Sequence, residues 1–242
     1  VILPSPSTSV SSVSPAIAEL TSTLNDLLCD TFSEFAHKKN PMKFWMISEL
    51  ILSFEYIKSF RQFSSLSESD QYAIACHAAS ELTMFSQATQ TLDRHAETTV
   101  FPDGQDAYSL SVCRGSCIFD SLFTRLYRLP VSTLRSLNPT RRHIALLKAI
   151  HIFNPGLPNI SKEARKFVGE ERDKYVHALT KLVLGEGGAS APIKLYELLQ
   201  TIPAMYKIIT SAHEQLDLIM LSGYDFHPLN IDVIEATRRN KA

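Results

Sequence analysis

Glycine is scarce, at 8 residues in 242. Phosphate-cradling loops and tight β-turns both lean on glycine, so neither a nucleotide-loop enzyme nor a turn-rich β protein fits. Charge of one sign is lacking too. Lys and Arg total 24 against 25 Asp and Glu, for a net charge of -1. No basic field runs through the chain to hold a nucleic-acid backbone. No apolar run approaches the ~18 residues of a membrane span, so no membrane partner is expected. Cysteine is sparse, at 29, 76, 113 and 117, without zinc-finger spacing. Cys113 and Cys117 would share a helical face, but no second pair nearby completes a metal site. Buried free thiols in a reducing compartment are the expectation. The chain opens at Val1 without a basic stretch leading into an apolar one. It reads as cut from a longer chain, not as carrying a signal peptide.

What is present is a globular composition. Hydrophobic residues make up 45% and charged residues 20%, which excludes whole-chain disorder. Residues 1–15 are Ser- and Pro-rich and read as a linker. From there helical spacing dominates. Helices are predicted over Ile17–Ala36, Met42–Phe60 and Glu68–Leu92, the last opened by Ser67 with Asp70 three residues on. A further helix is predicted over Ser109–Arg128, stopped by Leu129-Pro130. Others cover Arg141–Phe153, Ser161–Leu184 and Pro192–Leu221, with Pro203 expected to kink or weaken the last of these. A short amphipathic segment, Pro228–Ala236, closes the chain. Thr98 to Gly104, with its Pro102-Asp103-Gly104 turn, suggests one small β-hairpin. The elements are too continuous to divide, so residues 16–242 are expected to form one all-α domain.

Catalytic motifs are missing. There is no HExxH, GxSxG or CxxC. The eight histidines are scattered. Glu49, Glu55 and Glu81 lie on apolar helices without an evident His or metal partner, which fits structural ion pairs better than acid–base chemistry. An apolar helical body with a detachable amphipathic tail suits a ligand cavity and a helix-docking groove.

Glu49 to Leu82 resembles the signature of nuclear receptor ligand-binding domains. Ile57-Lys58, Phe63, Leu66 and Asp70-Gln71 follow that family's order and spacing across the end of its helix 3 and the start of its helix 4. Ala145 to Tyr175 resembles helices 8 and 9 of the family, through Phe153-Asn154-Pro155 and Arg172-Asp173-Lys174-Tyr175. LYELLQTIPAM resembles helix 10, and LNIDVIEA resembles the activation helix, helix 12. The SFEYIKSF and PDG wording is most similar to the expanded nematode receptor group.

The resemblance implies a three-layer antiparallel helical sandwich that binds a small apolar ligand of lipid, fatty-acid or sterol type. It implies no enzyme activity and no cofactor in this domain. Zinc and DNA contact would belong to an upstream zinc-finger domain, with residues 1–15 as the end of the hinge and the nucleus as the site of action. An orphan domain with a filled pocket, serving only as a dimer and cofactor platform, is the alternative. Coactivator or corepressor helices of LxxLL type would dock beside Lys58 and Asp232. Lys58 would meet their C-terminal carbonyls and Asp232 their N-terminal N–H groups. Ile51, Phe54, Tyr72 and Ala75 would line the groove, with Leu229, Val233 and Ile234 from the tail. Asp232 is shorter than the Glu the family favours, and Asn230 stands where an apolar residue is usual. Both departures imply a weakly docked last helix. By the same resemblance the ligand pocket would draw on Met46, Glu49, Leu50, Thr83, Met84, Gln87, Phe101, His213, Leu216 and Met220. Homo- or heterodimers would form through helix 10, on the exposed side of residues 194–215.

Overall fold

The computed structural model describes residues 41–101, 104, 106–107, 117–221 and 228–238, with the backbone alone for 41–46, 117–119, 218–221 and 228. The linker over 1–15 and the helix expected over Ile17–Ala36 lie outside the described residues, as do Cys29 and Cys113.

The described chain is all-α. Helix α1 spans Pro41–Lys58 and α2 spans Glu68–Thr91. Helix α3, Cys117–Phe123, runs through a π-helical segment at Thr124–Arg128 into α4, Leu129–Leu137. Then come α5 over Arg141–Ile152, α6 over Lys162–Gly185, α7 over Ala191–Leu221 and α8 over Pro228–Arg238.

Capping residues explain several of the starts. The Ser67 side chain accepts from the Asp70 N–H, Ser161 caps α6, and Thr140 forms a reciprocal capping box with His143 at the start of α5. Asp70 goes further than a local cap. Its carboxylate accepts from the Ser67 hydroxyl at 2.6 Å and from the Ser161 N–H and hydroxyl at 2.7 and 2.9 Å. One buried acid thus ties together the beginnings of α2 and α6. Burial works against its charge, but these bonds outweigh it and hold the Asp70 carboxyl below its ordinary value.

One expectation is corrected. Leu129-Pro130 does not stop the helix. The π-helical turn absorbs the change, and Pro130 falls in the first turn of α4, where a missing N–H costs nothing. Where the small hairpin is expected, the described residues hold one antiparallel bridge, Val100 to Asp106, and Gly104 adopts a φ of +88°. Pro203 stays within a continuous α7, on its exposed side.

Helix α2 is the middle of the three-layer sandwich, buried nearly all round. It packs against α1 and α8, and also against α4, α5 and α7. One core cluster joins α1, the first half of α2, the Phe153 to Ile160 loop, the start of α6, and Leu229 and Val233 of α8. A second joins the end of α2, Phe101, and α4 through α7. Phe153 stacks on Tyr175 with ring centroids 5.5 Å apart, clamping the loop after α5 to α6.

Candidate functional site

Helix α8 begins at Pro228 and buries Leu229, Val233 and Thr237, residues at i, i+4 and i+8 on one stripe. Asp232 and Glu235 face solvent. Its C-terminal turn is latched to α7. The Thr237 hydroxyl lies 2.9 Å from His213 Nε2, and the Arg238 guanidinium donates to Asp217 at 2.6 Å and to the His213 carbonyl at 3.2 Å. A cation in the last turn also complements the helix dipole.

Under α8 lies a cleft of about 60 Å³. Leu50 of α1, Thr83 and Met84 of α2, and His213 of α7 line it, with Asn230, Val233 and Ile234 from α8. Four of the residues expected in the pocket are therefore brought together from three helices. The others fall elsewhere. Glu49 is buried and accepts from Gln90 Nε2 at 3.2 Å. Gln87 and Leu216 are buried. Phe101 belongs to the second core cluster, its ring edge-on to Tyr127 at 6.3 Å. The side chains of Met46 and Met220 are outside the described residues.

Asn230 was read from sequence as a weak anchor on the docking stripe. It is 3% exposed, lines the cleft, and its Nδ2 finds no hydrogen-bond partner. A buried amide without a partner is costly, which makes its position notable.

The α1–α2 face has its own features. Lys58 Nζ donates to Glu55 Oε1 at 2.7 Å, one turn back on α1. Tyr72 is half-buried, while Ile51, Ala75 and Phe54 are closed into the core, Phe54 to 1% exposure. They present no surface to a partner in this conformation. Leu52 was overlooked. It is 62% exposed and shares its helical face with Glu55 and Ser59. Cys76 is a free buried thiol. Burial pushes it up to about 12 against a hydrogen bond from Tyr72, and the charge of Asp232 adds to the rise.

Polar groups in the sandwich pair with one another. Glu81 meets His151 Nδ1 at 2.9 Å, the partner that sequence spacing did not reveal. Lys148 donates to Ser86 at 2.8 Å and sits 5.6 Å over the Tyr56 ring. Burial lowers the Lys148 pKa, and nearby Glu49 counters that in part. A second cleft, of about 360 Å³, opens between α4 and α7 beside Pro130 and Pro203. No sequence signal pointed to it. Among the described residues no group of three or more His, Cys, Asp or Glu is placed to hold a metal ion, and no helix is long and apolar enough to cross a membrane.

Comparison with known proteins fits this architecture. The chain is 25% identical over 195 residues to nuclear hormone receptor family member nhr-1 of Caenorhabditis elegans, covering 77% of this chain and 42% of that protein. It is 27% identical over 169 residues to family member nhr-60 of the same organism, covering 70% and 36%. Family member nhr-209 is 26% identical over 178 residues, covering 72% and 42%. The chain thus spans about two-fifths of the length of these curated relatives. Residues 31–222 match the ligand-binding domain of nuclear hormone receptor, and the chain belongs to that family, in its nematode branch.

Proposed function

We propose that this chain is the ligand-regulated module of a transcription factor. It takes a small apolar molecule of lipid, fatty-acid or sterol type, and its last helix governs the docking of coactivator or corepressor helices. Nuclear hormone receptors are transcription factors, not enzymes. The observation that carries the reading is the seat of α8. This helix closes over a cleft shared with α1, α2 and α7 and leaves Asp232 in solvent.

Lys58 stands in the last turn of α1. There it would bond the C-terminal carbonyls of an LxxLL helix, with Asp232 at the other end. Its exposed ion pair with Glu55 is worth at most about 1 kcal/mol, so a partner can displace it. The groove between them would be lined by Ile51, Phe54, Tyr72, Ala75, Leu229, Val233 and Ile234. Opening it requires side-chain movement at the buried positions.

Fluorescence anisotropy with an LxxLL peptide tests the clamp. Lys58→Ala and Asp232→Ala should each weaken binding about tenfold. Asp232→Glu should tighten it by restoring reach. Unchanged affinity in both alanine variants would remove the clamp. Tight peptide binding without any ligand would remove the idea that α8 docks weakly.

The narrow cleft favours a second reading, an orphan domain that works as a ligand-independent platform. About 60 Å³ is well below the roughly 300–1,000 Å³ of drug-sized ligand sites. Native mass spectrometry separates the two. A stoichiometric co-purified small molecule supports ligand control. Bare protein mass with undiminished peptide binding supports the platform.

In the full protein, residues 1–15 would be the end of a hinge and residues 16–242 the domain. A zinc-bearing DNA-binding domain would precede them, with action in the nucleus. Dimers would use α7, where Ile193 and Tyr196 are 61% and 64% exposed.

A further inference from the structure

The cleft of about 360 Å³ between α4 and α7 shares no lining residue with the one under α8. Its floor is apolar, made by Phe85, Leu134, Met205 and Ile208, all of them buried. The polar groups around that floor are donors. Arg125 and Lys207 are exposed at the rim. Arg125 reaches Glu214 at 3.3 Å, but both side chains are about half exposed, and pairs of that kind are weak and readily displaced. Among the described residues Lys207 finds no ion-pair partner, and the hydroxyls of Thr133 and Ser211 find no hydrogen-bond partner. Ser211 stands one turn after Lys207 on α7 and is 4% exposed. Thr201 is different, since its hydroxyl donates to the Leu198 carbonyl at 2.7 Å. No Asp or Glu lines the cleft.

We propose that this cleft binds a small amphipathic carboxylate. Its head group sits on Lys207 and Ser211, with Arg125 and Thr133 opposite, and its hydrocarbon body lies on the apolar floor. The site is separate from the cleft under α8 that the proposed function concerns, so either can fail without the other.

The chemistry selects this class. Two cations and two free hydroxyls surround a space without an acid. A carboxylate accepts from all of them, a neutral head group from fewer, and an ammonium is repelled. The floor rejects a purely hydrophilic anion, because each buried CH₂ tightens binding about fourfold. The size agrees as well. About 360 Å³ falls within the roughly 300–1,000 Å³ of small-molecule sites. At the roughly 30 Å³ that one liquid water occupies, it takes about a dozen non-hydrogen atoms, enough for a medium-chain acid.

The test compares octanoate with 1-octanol, chains of equal carbon number with a charged and a neutral head. Both are titrated at low salt into the ¹⁵N-labelled chain. Octanoate should saturate, shift the backbone amides of Thr133, Lys207 and Ser211, and bind about tenfold tighter than octanol. Lys207→Gln, at an exposed position, should cut that preference to about threefold. Ala204→Phe fills the cleft from its half-buried wall. It should abolish the octanoate shifts at those three amides.

Equal binding of the two probes would overturn the inference. So would an octanoate preference unchanged in Lys207→Gln, or shifts at the three amides that survive in Ala204→Phe. Octanoate that moves only amides of α8, such as Val233 and Ile234, would overturn it and favour the cleft under α8. Absence of saturable binding would overturn it and leave the α8 reading to its own test. Concentration-dependent shifts of the same amides without a probe would give the cleft to a second copy of the chain and overturn it as well.

Discussion

At its N-terminal end α2 is held by Asp70, which takes bonds from Ser67 and from two atoms of Ser161. From Ser80 to Met84 the same helix faces a cleft lined also by Asn230 of α8, whose Nδ2 has no hydrogen-bond partner. Both groups are buried to 3% exposure. The Asp70 carboxylate is engaged across two helices, while the Asn230 amide nitrogen has no partner. Satisfied buried polar groups fix a single arrangement, because every alternative leaves them stranded. An unsatisfied one lowers the stability of the arrangement it sits in and rewards whatever satisfies it. The Asp70 end is thus built to stay, and the α8 end to respond.

The largest effect that would sharpen this contrast is Asp70→Ala. It removes three bonds to a carboxylate and weakens two caps, so a loss of about 3 kcal/mol is expected. Urea denaturation reads it. A loss below about 1 kcal/mol would break the comparison from the rigid side. Asn230→Leu should move the other way. Replacing an orphaned buried amide with an apolar side chain should stabilise the unliganded domain by about 1 kcal/mol, seen as a raised melting temperature. A lower melting temperature would mean that Asn230 is satisfied in solution.

The smallest effect is a pH dependence in two stages. Burial holds the pKa of His143 below 6.5, with Glu186 opposing and Lys194 reinforcing the shift, and burial does the same to His77. The unfolded chain therefore takes up protons first as pH falls below 6.5, and stability declines. The His143 Nδ1 accepts from the Thr140 N–H at 3.1 Å, so protonation there also costs the cap. Asp70 adds the second stage. Its folded pKa is depressed below 3.8, so its contribution is whole above that value and is lost as pH falls through the folded pKa. His143→Gln should blunt the first stage and leave the second. Melting curves from pH 8 to 3 check both.

Helix spacing and caps made most of the fold legible. Ser67 with Asp70, Ser161, and the Asn154-Pro155-Gly156 break each mark a real boundary. Leu129-Pro130 misled because proline reads as a stop only when the helix keeps its α geometry, and here a π-helical turn changes the register. The groove residues on α1 were harder. That helix is apolar on several sides, so periodicity does not say which side faces out. Phe54 is buried and Leu52, two residues away on the same helix, is exposed. The Glu81–His151 pair joins residues 70 apart in sequence, which local spacing cannot show. Asn230 was visible as an anomaly on an amphipathic stripe. Only the surrounding cleft shows that it faces a gap and not a partner helix.

Native-state hydrogen exchange tests the contrast most directly. Amides of α8 from Leu229 to Thr237 should open at a lower free energy than those of Ile74 to Leu82 in α2. Identical opening energies in the two segments would contradict the account.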